Sequence, residues 1–305
     1  MKKLIPPCLL PSAFRLLLPA YCLLAPDDYQ ATRELFLEQI NAVRAAAAAR
    51  PLRLSTALSA IAQDRADETA AGRAPASPPA EEDARRATKA GHEARLIAEV
   101  TAQADGDIPS VVEAWRDGGG VPAAEIVGRD YREMGLGVST AGDLPLYVLV
   151  LALSWEDYFE EQTEPLKDLE RVREQMLARV NRERTSRGLA PLRRHPKLDE
   201  AAQAHADDMF RRRYYSHDTP EGRTAIEREQ ANGYRARYAG ENIARGQYSV
   251  NEVMDGWMAS KTHRDHLLAE TFNDVGFGLA FGKNPGGYEI LWVQNFGRPK
   301  GRERL

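Results

Sequence analysis

Apolar residues recur with a helical period near the start of each half of the chain. Residues 166–180 place leucine, valine and methionine side chains on one helical face, and residues 32–49 show the same spacing. A second helix is predicted in each half, over 58–71 and over 198–213. The pattern therefore predicts that each half begins with two helices.

The last part of each half has the pattern of a β-hairpin. Strands are predicted over 134–139 and 146–155 in the first half, and over 275–281 and 288–296 in the second. Residues 73–90 are rich in alanine, proline and charge without a clear period, which predicts a surface loop. Helices followed by a hairpin predict an α/β layered domain with antiparallel strands in each half.

Matching residues indicate that the two halves are copies of one domain. Segment 41–44 begins with asparagine and ends with arginine, and segment 181–184 does the same at an offset of 140 positions. Gly135-Leu-Gly137 precedes Gly276-Phe-Gly278 by 141 positions. An offset that stays this constant along the chain predicts a tandem repeat.

The repeat divides the chain into two domains. The copies are assigned to 30–156 and 168–299, and an acidic segment over 157–167 is assigned as the linker. Tyr147 and Tyr288 are aligned as the residues that open the last strand of the two copies.

Residues 1–25 are predicted to be a signal peptide, because two lysines precede an apolar stretch and a polar chain follows it. The alternatives are a lipoprotein leader with Cys22 as the lipidated residue and a leader that stays associated with a membrane. Both cysteines, Cys8 and Cys22, lie in this segment, so no disulfide or cysteine metal site is expected in the mature chain. No later apolar run approaches the length of a transmembrane helix. We therefore expect an exported protein, extracellular or periplasmic, without a transmembrane anchor.

Composition and charge exclude one class of function. The chain is 43% apolar and 28% charged, which is typical of a soluble globular protein. Its formal net charge is −4, and loss of the two lysines and one arginine of the leader would make it −7. Nonspecific nucleic-acid binding depends on basic side chains that neutralise phosphates, so no nucleic-acid partner is expected.

Three polar residues of the second copy are candidates for chemistry, and all three are predicted to lie in loops or at the ends of elements. His217, Glu241 and His263 are separated by 24 and 22 positions, and two histidines with a carboxylate are a known zinc ligand set. Hydrogen bonding within a turn or to buried amides is the structural alternative. His205, on an apolar helix face, is expected to be a core histidine with satisfied hydrogen bonds, and His266 a residue at the rim.

A nucleophilic site is a second chemical hypothesis. It would pair Ser260 or Ser216 with His263 or His217, with Glu241 to orient the imidazole. Neither serine lies in the Gly-x-Ser-x-Gly motif of a nucleophile elbow. The residues alone leave the metal site, the nucleophilic site and the structural alternative open.

Five sequence blocks between residues 170 and 298 resemble the bacterial branch of the CAP superfamily, which comprises the cysteine-rich secretory proteins, antigen 5 and the plant pathogenesis-related proteins. The blocks are Tyr-Tyr-Ser-His217-Asp, Gly240-Glu-Asn-Ile243, Trp257-Met-Ala-Ser-Lys-Thr-His263-Arg, Asn273-Asp-Val-Gly-Phe-Gly278 and Trp292-Val-Gln-Asn-Phe-Gly297. The resemblance implies a three-layer α-β-α sandwich with an antiparallel sheet. The first copy resembles the same fold only through the repeat.

The resemblance also implies a ligand cleft around two histidines and two acidic residues. His217 and His263 match the histidines, Glu241 matches the first acid, and Ser260 stands where we place the second acid. The implied cleft is therefore incomplete. Zinc or another divalent cation held by His217, His263 and Glu241 remains an expectation of the resemblance.

The first copy lacks both imidazoles of this cleft. Ser77 aligns with the first histidine and Val121 with the second, whereas Glu99 aligns with Glu241. The first copy is therefore expected to serve as a packing domain, a partner-binding domain or a spacer, with Glu99 as a structural hydrogen-bond acceptor.

These observations predict an exported binding or interaction protein of the cell envelope with a cleft in its second domain. The expected partner is a small ligand, such as a lipid or another envelope component, or a protein. A metal-assisted or serine-type hydrolase of peptide or ester bonds is one alternative, and a purely structural tandem module is the other.

Overall fold

A computed structural model describes the chain over residues 26–73, 80–105, 107–117, 121–141 and 144–301. The chain divides into two units after Tyr158. The predicted leader, residues 1–25, lies outside the described residues. None of the helices in the described ranges is long and apolar enough to span a bilayer.

The first unit begins with a helix and ends with two long strands. Its elements are α1 Pro26–Ala46, β1 Arg53–Leu54, α2 Thr56–Ala70, α3 Ala80–Lys89, β2 Ala94–Gln103, α4 Ile108–Asp117, α5 Val121–Ile126, β3 Glu133–Ala141 and β4 Leu144–Ser154.

The second unit repeats this order after a helical connection. The connection consists of α6 Trp155–Thr163 and a 3₁₀ turn over Glu164–Leu166, so the predicted linker 157–167 is helical over most of its length. The remaining elements are α7 Leu169–Thr185, β5 Arg193–Arg194, α8 Pro196–Arg212, α9 Ala225–Ala231, β6 Ala236–Arg245, α10 Val250–Ala259, α11 Lys261–Leu268, β7 Asp274–Asn284 and β8 Gly287–Pro299.

Both sheets have the same strand order, β1-β3-β4-β2 in the first unit and β5-β7-β8-β6 in the second. The three long strands of each sheet are antiparallel, as the sequence predicted for the two strands of each hairpin. The third long strand, β2 or β6, was not predicted. The two-residue strands β1 and β5 pair in parallel with β3 and β7, so each sheet is mixed at one edge.

Helices cover both faces of each sheet. In the second unit, alanines of α8 pack on the face that carries Leu291 and Val293, whereas α7 and α10 pack on the face that carries Ile290 and Trp292. Alternate residues of one strand therefore belong to two different apolar layers. This arrangement confirms the predicted α-β-α sandwich in two tandem copies.

Helices α2 and α8 lie directly on the glycines of the repeat. A Cβ atom added to Gly276 would lie 2.2 Å from the carbonyl carbon of Leu198, and one added to Gly278 would lie 2.3 Å from the α8 backbone. Cβ atoms on Gly135 and Gly137 would meet α2 at 2.1 and 2.0 Å. These distances leave no space for a side chain, so helix and strand backbones are in direct contact.

The shared segments 41–44 and 181–184 have a structural role. The Asn181 side chain donates to the carbonyl of Leu192 at 2.9 Å and accepts from its amide at 2.8 Å, and Asn41 makes the same two bonds to Leu52. The side chain therefore binds both the backbone N–H and the backbone C=O of one residue beyond the helix end. The loop that follows the helix is held in the same way in both copies.

The arginines that end these segments are buried and bind backbone carbonyls. Arg184 donates to the carbonyls of Ala190, Leu267 and Ala269 at 2.8–2.9 Å. Arg44 makes the corresponding bonds to carbonyls of residues 50, 126 and 128. In the second unit, this arginine ties the end of α7 to the end of α11, the helix whose first turn carries the candidate residue His263.

The predicted loop over 73–90 is wrong in its second half, because residues 80–89 form α3. This helix presents little apolar surface to the core, since Asp83 and Ala87 are its buried residues in the described part. Its first turn is acidic and its last turn is basic, and Arg86 bonds to Glu82 one turn away. Charge pairs and the helix dipole thus stabilise an element that has no apolar stripe.

The alignment of Tyr147 with Tyr288 is also wrong. Tyr147 pairs with Val138 across the first hairpin, and Trp292 pairs with Leu279 at the same place in the second. The second hairpin extends further beyond this point, so that Trp292 and not Tyr288 corresponds to Tyr147. In both hairpins the glycines lie against a helix, α2 or α8. The hairpins differ in the number of paired residues between these glycines and the turn.

The glycine contacts lead to a test of stability. Gly276→Ala is expected to lower the free energy of unfolding by about 1–3 kcal/mol, because a methyl group would force α8 away from β7. Gly256→Ala is the matched control, since a Cβ atom there meets open space. Alanine in helix α10 should raise stability by about 0.5–1 kcal/mol. The measurement is the urea midpoint and slope, and an unchanged midpoint for Gly276→Ala would contradict the close helix–strand contact.

Candidate functional site

Glu241 lies within strand β6 and not in a loop, and it is only 5% exposed. One carboxylate oxygen accepts a hydrogen bond from His217 Nδ1 at 2.9 Å, and the other accepts from Arg228 Nη2 at 2.5 Å. Burial of an unpaired carboxylate would be strongly unfavourable. Arg228 and His217 together satisfy both oxygens of this buried carboxylate.

His217 lies in the loop between α8 and α9, and 54% of its side chain is exposed. The hydrogen bond to Glu241 raises the pKa of its imidazole, while partial burial opposes this effect. Nδ1 carries the proton in this bond, and Nε2 makes no hydrogen bond within the described residues. The second unit therefore presents a readily protonated imidazole to solvent.

Arg228 is a functional residue that the sequence reasoning missed. Besides Glu241, its guanidinium donates to the carbonyls of His217 and Arg223 at 2.7 and 2.9 Å. It therefore neutralises the carboxylate and also holds the loop that carries His217. The only signal in the sequence was indirect, because a buried Glu241 needs a cation that no neighbouring residue in the sequence supplies.

His205 of α8 lies beneath this pair. It is 1% exposed, its Nε2 lies 3.0 Å from the carbonyl of Ser216, and the same nitrogen lies 3.9 Å from the nearer oxygen of Glu241. Burial lowers the pKa of its imidazole and so favours the neutral ring. Its Nδ1 has no hydrogen-bond partner among the described residues. The sequence thus predicted its burial correctly, but only one of its nitrogens is satisfied.

Ser260 and His263 form a second pair. Ser260 separates α10 from α11, and its hydroxyl lies 2.9 Å from Nδ1 of His263 in the first turn of α11. Burial lowers the pKa of His263, with further contributions from the charges of His217 and His266. The link between the two pairs is therefore electrostatic, because a proton on one histidine disfavours a proton on the other.

Asn242 positions α11 from the other face of the same strand. Its amide donates to the carbonyl of His263 at 3.1 Å and to Gln294 at 3.3 Å, and its oxygen lies 2.9 Å from Nδ1 of His266. His266, which the sequence placed at the rim, is partly buried and contacts Phe272 and Phe296. The adjacent residues Glu241 and Asn242 thus organise opposite sides of the sheet.

The predicted pairing of Ser216 with His217 is not formed within the described residues. The Ser216 carbonyl contacts His205, and its hydroxyl accepts from the amide of Asp218 at 3.2 Å. Of the two nucleophilic pairs considered from the sequence, the structure brings together Ser260 and His263.

The donor set determines which residues could hold a metal ion. Within the described residues, no group of three or more His, Cys, Asp or Glu side chains is placed to hold one. Both oxygens of Glu241 are engaged by His217 and Arg228, so its carboxylate fits poorly as a ligand. The two imidazoles of His217 and His263 are the remaining candidates, with water to complete the coordination.

The first unit neutralises its buried carboxylate differently. Glu99 faces Val150 as Glu241 faces Asn295, so the two acids occupy the same sheet position. Arg65 of α2 binds Glu99 through Nε at 2.9 Å and through Nη2 at 3.0 Å. Both oxygens of Glu99 are therefore bound by a fully buried arginine. The aligned Ser77 and the side chain of Val121 lie outside the described residues.

Comparison with known proteins gives two matches to one family. The model of the cysteine-rich secretory protein family, CAP, matches residues 37–153 and again residues 177–296. Each match coincides with one copy of the repeat.

Individual relatives match shorter parts of the chain. The protein YkwD of Bacillus subtilis strain 168 is 32% identical over 117 residues, which are 38% of this chain and 43% of YkwD. The membrane protein YlbC of the same strain is 30% identical over 105 residues, which are 34% of this chain and 30% of YlbC. The matched region thus spans less than half of either relative.

A solved extracellular protein of Bacillus anthracis strain Ames that contains an SCP domain is 19% identical, with a TM-score of 0.38, over 74% of this chain and 73% of that protein. Likeness at this level concerns the fold alone. The two family matches together cover most of the chain. The chain therefore belongs to the CAP family of cysteine-rich secretory proteins and contains two tandem CAP domains.

Proposed function

We propose that this chain is an exported extracellular or cell-envelope protein whose second domain binds an acidic ligand without a catalytic step. The binding cleft consists of His217, Glu241, Ser260 and His263. A lipid head group or another acidic envelope component is the proposed ligand class. Export itself is part of the proposal and rests on the leader-like residues 1–25.

One contrast between the two copies carries this proposal. In the first copy, Arg65 binds both oxygens of Glu99 and the partly buried Thr101 hydroxyl donates to one of them at 3.3 Å, so within the described residues none of the hydrogen-bond partners of this carboxylate is an exposed side chain. In the second copy, Glu241 shares its charge with a histidine that is half exposed. If the only role of His217 were to neutralise the buried Glu241, a buried side chain could serve as well, as Arg65 does for Glu99. The exposure of His217 therefore favours a role in binding.

The second copy also offers two imidazoles whose pKa values are shifted in opposite directions. Glu241 favours the protonated form of His217, whereas burial favours the neutral form of His263. A cationic ring suits an anionic oxygen, and a neutral ring beside the Ser260 hydroxyl suits a group that both donates and accepts. The cleft is therefore suited to a ligand that combines an acid with a hydroxyl or amide.

The first prediction concerns pH. Vesicles that contain phosphatidylglycerol are expected to bind more tightly at about pH 6 than at about pH 8.5, because His217 is then protonated. His217→Asn should remove most of this difference. His92→Asn is the control, since it removes an imidazole bonded to Glu133 in the first unit. The measurement is vesicle sedimentation, and equal pH dependence in wild type and His217→Asn would contradict the proposal.

The same pair makes a contribution to stability whose sign follows from the raised pKa. The charged imidazole stabilises the fold fully below its unfolded-state pKa of about 6.5. The contribution is lost as the pH rises through the raised folded-state pKa. The stability difference between wild type and His217→Asn should therefore shrink towards alkaline pH.

A divalent cation is the second candidate ligand of this cleft. The observation that favours it is the lowered pKa of His263, because a ligating imidazole has to be neutral. The cation would be held by His217 and His263, with water in the remaining positions.

Calorimetric titration with zinc tests this candidate. Wild type is expected to bind about one zinc ion per chain, more weakly at acid pH because protons compete for the imidazoles. His217→Ala/His263→Ala should abolish the binding heat. Glu241→Gln should retain it if the carboxylate is not a ligand. Indistinguishable heats for wild type and the double variant would remove the metal from the proposal.

The pair of Ser260 and His263 favours the hydrolase alternative, because 2.9 Å is a nucleophile–base distance. Within the described residues, however, no carboxylate orients this imidazole from its other nitrogen. We therefore expect wild type and Ser260→Ala to hydrolyse p-nitrophenyl acetate equally slowly and to resist fluorophosphonate labelling. Labelling of the wild type that is lost in Ser260→Ala would establish the hydrolase instead.

A further inference from the structure

We propose that a cavity between α8 and α9 is a second binding site, which takes a small hydroxylated oxyanion such as a polyol phosphate. The cavity has a volume of about 380 Å³, within the range of small-molecule sites. Alanines of both helices form part of its lining, and residues 219, 221 and 223 of the intervening loop complete it. It lies on the α8 side of Glu241, away from the pair of Ser260 and His263.

The charges around this cavity favour an anion. Four arginines line it. Arg212 is paired with two acidic residues of the same wall, and Arg228 is paired with Glu241. Within the described part of the chain, Arg211 and Arg223 form no ion pair. Hydrogen bonds at the start of α9 lower the pKa of the Glu227 carboxyl, and the charge of Arg223 adds to this effect without direct contact between the two side chains. Two guanidinium groups without a direct carboxylate contact suit an oxyanion, whose oxygens accept several N–H bonds at once.

The inner wall favours a ligand that also carries a hydroxyl. His205 Nδ1 and Arg228 Nε are buried and have no hydrogen-bond partner among the described residues. Since Nε2 of His205 donates to the carbonyl of Ser216, its Nδ1 can only accept, whereas Arg228 Nε can only donate. A hydroxylated oxyanion matches both groups, while an apolar ligand would leave both unsatisfied.

Arg228 connects this cavity with the histidine cleft. Its guanidinium binds Glu241, the carbonyl of His217 and the carbonyl of Arg223. The two sites therefore share one positioning residue, but their ligand-contacting groups differ. The cavity is therefore proposed as a binding site in addition to the histidine cleft. The two sites can be tested separately, because variants of Arg211 and Arg223 do not change His217 or His263.

The test uses the full chain and glycerol 3-phosphate as the probe. Titration is followed by NMR of the histidine ring protons, and the His205 resonance is expected to shift with saturation. Arg211→Gln/Arg223→Gln should weaken binding by about tenfold or more, because two charge-assisted contacts are lost. Arg171→Gln/Arg235→Gln removes the same charge from exposed positions outside the cavity and should leave the affinity unchanged. Urea midpoints of both double variants check that the fold is retained.

Further probes define the source of the oxyanion and separate the two sites. Glycerol alone should not shift His205, and inorganic phosphate should bind more weakly than glycerol 3-phosphate. Phosphatidylglycerol vesicles that compete with glycerol 3-phosphate would assign the site to a lipid head group, and lack of competition would assign it to a free phosphate ester. His217→Asn/His263→Asn should still bind glycerol 3-phosphate.

Three results would overturn the proposal. The first is no shift of His205 at saturating probe, and the second is equal affinity in wild type and Arg211→Gln/Arg223→Gln. The third is loss of binding in His217→Asn/His263→Asn, which would place the anion in the histidine cleft. The third result would leave the proposed function of the cleft intact, so that the two proposals fail separately.

Discussion

A carboxylate buried in a β-sheet needs cationic partners, and both halves of this chain are organised around that requirement. Glu99 and Glu241 occupy the same sheet position, and each has both oxygens bound. The first copy uses one buried arginine, whereas the second uses Arg228 and an exposed histidine. The two copies thus differ in which side chains neutralise one buried charge.

The close contact of helix and strand decides which residue reaches that carboxylate. Because α2 and α8 lie on the paired glycines at the same register, Arg65 and His205 occupy corresponding positions above the sheet. Arginine is long enough to bind Glu99 directly, but His205 stays 3.9 Å from Glu241. Because histidine is shorter, Glu241 is bound instead by Arg228 of α9 and by His217 of the preceding loop. Nδ1 of His205 and Nε of Arg228 then have no hydrogen-bond partner within the described residues beside the cavity between α8 and α9.

The pleat of β6 explains why the candidate site has two parts. Glu241 faces α8 and binds His217, while Asn242 faces the opposite layer and holds α11, which carries His263. Arg184 fixes the end of α11 through its carbonyls. His217 and His263 therefore lie on different sides of the sheet. They interact through charge, since burial and then the charge of His217 lower the pKa of His263.

The sequence by itself determined the repeat, the helices with apolar stripes, the long hairpins and the identity of the polar blocks, because these depend on local spacing. It could not show α3, which has charge pairs in place of an apolar face, or β6, whose polar run does not alternate. Only the tertiary structure decided that Arg228 and His205 join Glu241, since residues far apart in the chain meet there. An unpaired charge has a high free energy only when it is buried. Whether a residue is buried depends on how the segments of the chain pack together and cannot be read from one segment.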